Sequence, residues 1–326
     1  MPQQLTLFNL WEDVPEPKPA PAPPPPPEPL PVPVLRGQQA LFGGSHVGET
    51  AVDAALGALD PKALRAAEAR TRRDYPTYAP ARQWPTWANS LETLGKGAAR
   101  SRLKKIDALG DPVTLDALFP DMRPDRLAML VGTLQVAAIR GVLVAEGPAA
   151  KDRAGIPLAD DLRRQGHVAE ALALAAKALE TDVGDVQLWL CAARCHVALH
   201  HDEPARNAWL GAALVQPRVV AQAADLPPEL ADLIEDADEA ELPGKPADWL
   251  AALADLSGLW RLPPPEATPP CAAKLAEAPG LRFAKHLAAL RAIRRQGSAV
   301  DAAAVRAVKA ALLGIAPGLK ERIRRV

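Results

Sequence analysis

Residues 166–182 read GHVAEALALAAKALETD, and the fold turns on this stretch. Alanine and leucine dominate it, and both are strong helix formers. Gly166 fits a turn, and Ala171 and Ala178 fall where two helices must approach closely. Working outward, Asp152–Val186 aligns on Val186–Val220 at a 34-residue offset. The first unit places Leu158, Ala159 and Leu162 on its first helix. The second unit contributes Trp189, Ala193, Ala205, Trp209 and Ala212, with Pro217 as terminator. Small residues let antiparallel helices nest, and large ones fill the groove between them.

The rest of the composition agrees. Apolar residues make up 48% of the 326-residue chain, mostly as Ala and Leu, while aromatics are only 4%. Strand-type runs of β-branched residues are nearly absent, so the chain is expected to be all-α. Lys plus Arg is 38 against 39 Asp plus Glu, and this balance excludes a uniformly basic nucleic-acid coat. Three scattered cysteines without framework spacing suit a reducing cytoplasm. Met1 to Asp13 lacks the pattern of a signal peptide. The nearest approach to a spanning segment, Val131 to Val144, is interrupted by Arg140, so no membrane is expected.

The 34-residue period and the run at 166–182 resemble the tetratricopeptide repeat. The resemblance covers about a fifth of the chain, and it departs from the pattern at two positions. Gly155 stands where an aromatic is usual, and His200 replaces the second turn glycine. It implies helical hairpins whose concave groove takes a protein partner. Two such units seldom bury a continuous core, since stacks generally need about three, so flanking helices are expected to cap them. The expected organisation is a proline-rich tail at 1–47, a helical region with a basic segment at 48–147, a repeat pair at 148–220, and a C-terminal helical region at 221–326, acidic and then basic.

Twelve of the nineteen residues from Pro15 to Pro33 are proline, which fixes φ and removes amide donors. Polyproline II or disorder is expected there. In the body, Asp60-Pro61 reads as an N-cap and first helical residue. Tyr75 to Pro85 reads as loop, with helices through Trp87–Leu94 and Arg102–Leu109. Pro124 opens a long apolar helix, Pro228 another, and Trp249–Leu259 a third. The last two helices are expected at Leu281–Gln296 and Ser298–Leu313, with Ser298 and Asp301 as capping box and Gly314 as stop.

Two short motifs lie in the tail. Gln4-Leu5-Thr6-Leu7-Phe8 resembles the pentapeptide by which bacterial polymerases and repair proteins dock on the DNA sliding clamp. That resemblance implies that Gln4 bonds at a pocket rim, that Leu7 and Phe8 fill an apolar cleft, and that Leu5 supports them. Gln38-Gln39-Ala40-Leu41-Phe42 resembles the variant of the main replicative polymerase, with Gln38, Leu41 and Phe42 in matching roles. The 29 residues between them span on the order of 90 Å at about 3.1 Å per residue in polyproline II. Both motifs would then reach one ring, with an avidity gain of roughly 10²–10⁴.

Basic residues cluster twice. Lys62 to Lys105 holds eleven Lys or Arg against three acids, and Leu281 to Val326 holds eleven against two. Arg100, Arg102, Lys104 and Lys105, beside Trp84 and Trp87, are the candidates for phosphate contact with DNA or RNA. A solvated helix face is the other reading of such a run.

No catalytic constellation stands out. Cys191 with Cys195, and His196 with His200, are each four apart on one helix, but the two pairs are offset by about 140° and do not converge on a metal. The cysteines fit small buried hydrophobes. Gly95-Lys96-Gly97 lacks the rest of a phosphate loop, and there is no Gly-x-Ser-x-Gly. The expectation is therefore a non-enzymatic cytoplasmic adaptor without cofactor or metal. It would tether to the sliding clamp by its tail and grip an unidentified protein partner in its helical groove. The rivals are a general tetratricopeptide scaffold unrelated to DNA and a helical nucleic-acid-binding protein.

Overall fold

A computed structural model of the chain describes residues 44–262, 278–295 and 302–325. The described residues are all-helical. No strand occurs among them, and the one β-type pairing is an isolated antiparallel bridge between Lys151 and Pro157. The contacts divide the chain into two units, which meet in sequence between Ala150 and Lys151.

The N-terminal unit carries α1 (Gly44–Gly57), α2 (Pro61–Asp74), α3 (Trp84–Gly95), α4 (Ala99–Asp107), α5 (Pro112–Leu118) and α6 (Pro124–Glu146). Asp60 caps α2 as expected, accepting from the amides of Lys62 and Ala63 at 2.8 and 3.0 Å. The same Asp-Pro device starts α5, where Asp111 accepts from Val113 and Thr114. The loop expected over Tyr75–Pro85 is shorter than foreseen. A 3-10 turn occupies Ala79–Arg82, and α3 begins at Trp84 with Pro85 in its first turn. Proline is tolerated there because the first amides of a helix lack intrahelical acceptors.

Helix α6 is the unit's long strut. By length and composition it is the one helix among the described residues that could cross a membrane. Within its unit it packs against α1 and α4, burying Leu130, Leu134, Ile139 and Val142. It also buries Arg126, whose Nε lies 2.6 Å from the Asp53 carboxylate of α1. The Tyr78 hydroxyl donates to Glu49 of the same helix at 2.6 Å. Burial, and then that bond, push the phenol up to about 12.

The C-terminal unit begins with two helical hairpins. These are α7 (Leu158–Arg164) with α8 (Val168–Leu179), and α9 (Val186–Ala198) with α10 (Asp202–Val215). They are unequal, because α7 is only half as long as α9. The residues aligned with the first turns of α9 form a bend in which Asp152 Oδ1 accepts from Ala154 and Ile156. Pro157 then lets the helix start only after it, since the residue before proline avoids helical angles. The hairpin turns do match. Gly166 sits at φ +87° and His200, 34 residues later, at φ +58°.

Ala171, Ala178, Ala193 and Ala212 are fully buried, as are Leu158, Ala159 and Leu162. Trp189 lies on Gly211, where a Cβ would stand 2.5 Å from the indole ring. Its Nε1 donates to Val183 O at 2.9 Å. Pro217 ends α10 and at once starts a short helix, α11 (Pro217–Ala221).

Beyond it come α12 (Pro228–Glu239), α13 (Leu250–Leu256), α14 (Pro279–Arg295), α15 (Ala302–Ile315) and α16 (Lys320–Arg325). The acidic α12 is amphipathic and buries Leu230, Leu233 and Ala237. The helix expected over Trp249–Leu259 is a 3-10 turn, Pro246–Trp249, followed by the shorter α13; the chain turns at Gly258 with φ +80°. Arg291 of α14 clamps the buried Asp255 of α13 at 2.7 Å. Gly280 lies against the Asp248 carbonyl so closely that no Cβ fits. Gly314 does not stop α15, which runs on to Ile315 before Pro317 turns the chain. Ser298 and Asp301 lie outside the described residues.

Candidate functional site

The surface feature that stands out in the C-terminal unit is an open cleft of about 530 Å³ between α10 and the turn leading into α12. Its apolar lining is Val197, Ala205, Trp209, Leu226, Pro227 and Leu259. These residues come from α9, α10, the 225–228 turn and the turn that follows α13, so the cleft exists only because the chain returns to α10 after Pro217.

Trp209 is the floor, at 2% exposure. Unlike Trp189, it finds no hydrogen-bond acceptor for its Nε1–H among the described residues. A buried donor left unmet costs about 1–3 kcal/mol. Val197 is 54% exposed, near the C-terminal end of a mostly buried helix.

The wall opposite α10 is held in place by charge. Arg194 of α9 makes a bidentate pair with Asp225, 2.7 and 2.8 Å long. The Arg194 hydrogen bond holds the Asp225 carboxyl below its usual value, and burial opposes this. Two further carboxylates line the cleft, Asp202 and Glu229, and both are exposed. Arg206 turns its Nε toward the Asp202 carbonyl at 3.4 Å.

The sequence candidates fall elsewhere. The clamp-type motifs, with Gln4, Leu5, Leu7, Phe8, Gln38, Leu41 and Phe42, lie outside the described residues. The four basic candidates lie close together in α4, but two have hydrogen-bonded partners and a third is half-buried. Arg100 grips Glu146 of α6 through Nε and Nη2. Lys105 Nζ donates to the Lys96 carbonyl, capping the end of α3. The half-buried Arg102 lies against Gly141 of α6. Lys104 alone projects from the helix without such a contact. Trp84 and Trp87, their neighbours in sequence, are core residues at 0% and 3% exposure, so neither offers a face for base stacking.

Cys191 and Cys195 are both fully buried. They are hydrogen-bonded to each other, which pushes the Cys191 thiol up and draws the Cys195 thiol down, and burial opposes the second shift. His196 does not pair with His200. Its Nδ1 lies 3.4 Å from Nδ1 of His201, and burial, then that neighbour, lower its pKa to about 4. Among the described residues no three His, Cys, Asp or Glu side chains are placed to share a metal ion.

The Trp209 cleft was not foreseen from sequence, where Trp209 read as core. Its depth fits that reading. Its unmet N–H and its neighbours from 225–229 and 259 depend on a chain return that leaves no local signature. No family model, curated protein or solved structure matches the chain.

Proposed function

We propose that this chain is a non-enzymatic adaptor of the cytoplasm, tethered to the DNA sliding clamp by its tail and gripping a protein partner with its C-terminal unit. The observation that carries the grip is the Trp209 cleft, an open and mostly apolar cavity on packed helices. The tether rests on the two tail motifs alone. The hairpins α7–α8 and α9–α10 fit a tetratricopeptide-like pair through their buried small residues and their left-handed turns 34 residues apart. The flanking helices α11 to α13 stand where a third repeat would otherwise be needed.

Titration calorimetry with the purified clamp tests the tether. The full chain should bind, and Phe8→Ala or Phe42→Ala should each weaken binding by tenfold or more. Burying a phenylalanine is worth about 1.5–3 kcal/mol, and the linkage between the sites is lost as well. The double variant should not bind. Absence of heat with the unaltered chain at tens of micromolar clamp would remove the tether and leave a general scaffold. The nucleic-acid reading is the weaker one, because Arg100 and Lys105 already have partners within their unit.

A further inference from the structure

We infer that helices α14 to α16 form a phosphate-binding surface for duplex DNA, one that takes any base sequence. This deepens the adaptor reading and rests on its tether for one step: a chain held on a sliding clamp lies beside the duplex that the ring encircles. The surface is separate from the α4 candidates, which belong to the other unit.

These three helices carry eleven Lys or Arg and a single acid, Glu321, which Arg324 holds at 2.7 Å. Arg291 is engaged by Asp255 and Arg322 by Asp236. Arg282, Lys285, Arg295, Arg306, Lys309 and Lys320 have no ion-pair partner among the described residues, and all but the half-buried Lys309 are exposed. Arg282 and Lys285 are three apart on α14, as are Arg306 and Lys309 on α15, so each pair shares a helix face. The two helices pack on each other, and α14 buries Leu281, Phe283, Ala284 and Leu287 on its other side. From Arg282 to Arg295 α14 runs for about 20 Å. A duplex presents roughly twelve phosphates over that length.

The neighbouring residues select among anionic partners. No large apolar side chain is exposed among the described residues of these helices, so an anionic membrane has nothing to anchor beyond its headgroups. The aromatics after Pro217 are core: Trp249, Trp260 and Phe283 are at most 4% exposed. Single-stranded bases therefore find no ring to stack on. A duplex, with its bases stacked inside and its phosphates evenly repeated, meets this run of lysine and arginine charge for charge.

Anisotropy of a short fluorescein-labelled duplex, titrated with the full chain, tests this. Affinity should fall on the order of 100-fold between about 50 and 200 mM salt, as roughly four phosphate contacts require. Two duplexes of unrelated sequence should bind alike. The Arg282→Gln/Lys285→Gln/Arg306→Gln/Lys309→Gln chain loses four charges that hold no ion pair, so it should keep its melting temperature. It should bind at least tenfold more weakly at low salt, with a log–log salt slope flatter by about 3–4. Lys285→Arg/Lys309→Arg keeps the charges and should bind as the unaltered chain does.

No binding at low salt, or unaltered affinity and salt slope in the glutamine chain, would overturn the assignment. So would tighter binding of a single strand of the same length, or displacement by polyglutamate as effective as by unlabelled duplex of equal charge. The Phe8→Ala/Phe42→Ala chain should bind the duplex as well as the unaltered chain does. Clamp binding without duplex binding would sink this surface alone, and duplex binding without clamp binding would sink the tether alone.

Discussion

Gly211 and Trp189 form a matched pair that the 34-residue alignment could not reveal. The indole of α9 rests where a side chain on α10 would begin, and its N–H is pinned to Val183. Gly211→Ala therefore must push a pinned, buried ring. It should destabilise by about 1–3 kcal/mol, the usual range for overpacking. A thermal melt equal to the parent's would sink that account. At the two hairpin turns the residues differ although the backbone agrees. Gly166→Ala would place a Cβ at φ +87° and should cost about 1–2 kcal/mol. His200→Gly relieves the corresponding strain at φ +58° and should be neutral or mildly stabilising, since glycine gives back part of the gain as backbone entropy. Gly166→Ala should lower the denaturant midpoint, and His200→Gly should hold or raise it. The left-handed turn was legible at Gly166 but not at His200, because only glycine advertises that conformation.

At the scale of elements, the helix starts were the most readable feature. Asp60-Pro61, Pro124 and Pro228 all open helices where proline's fixed φ and missing amide suit a first turn. Asp111-Pro112 carries the same signature and opens the short helix α5. The basic run of α4 has a different lesson. Its charges read as a phosphate surface, yet Arg100 and Lys105 hold α4 to α6 and α3. Reversing all four charges would disturb the fold as well as any nucleic-acid contact. Lys104→Glu alone is the clean substitution. If α4 binds phosphate, Lys104→Glu should lower retention on DNA at low salt and leave the melt unchanged; equal retention would remove that role. The Arg194–Asp225 pair between α9 and the cleft wall makes a pH-dependent prediction. Its carboxyl is held low, so its contribution is present above about pH 3.9, the ordinary aspartate value. It is lost as pH falls through the lowered one. Arg194→Leu should cost about 0–1 kcal/mol at pH 7, since the pair is partly exposed, and less at acid pH. Urea titrations at the two pH values check this.

For the whole molecule, stability is shared between two units that each bury their own core, so the halves should lose structure independently. Arg126 on Asp53 serves the first, and Arg291 on Asp255 serves the second. Burial lifts the Asp255 carboxyl above its usual value despite Arg291. Arg291→Met would leave that carboxylate buried and unpaired, and should destabilise by about 3–5 kcal/mol. The loss should fall on the C-terminal unit. Hydrogen exchange should show faster opening of α13 and α14 while α1 to α6 keep their protection. Uniform loss of protection along the chain would contradict independent units.

The sequence by itself determined the all-helical class, the helix starts and the buried small residues of the hairpins. Each follows from a local cause: alanine and leucine propensity, proline at first turns, and close approach at Ala171, Ala178 and Ala212. Only the tertiary structure decided which charges are engaged and where a cavity opens. Arg100 meets Glu146 across 46 residues, and Leu259 reaches a cleft floored by Trp209. Neither follows from composition or period. Whether a tryptophan's N–H finds an acceptor depends on which distant backbone returns beside it: Val183 serves Trp189, and no described residue serves Trp209.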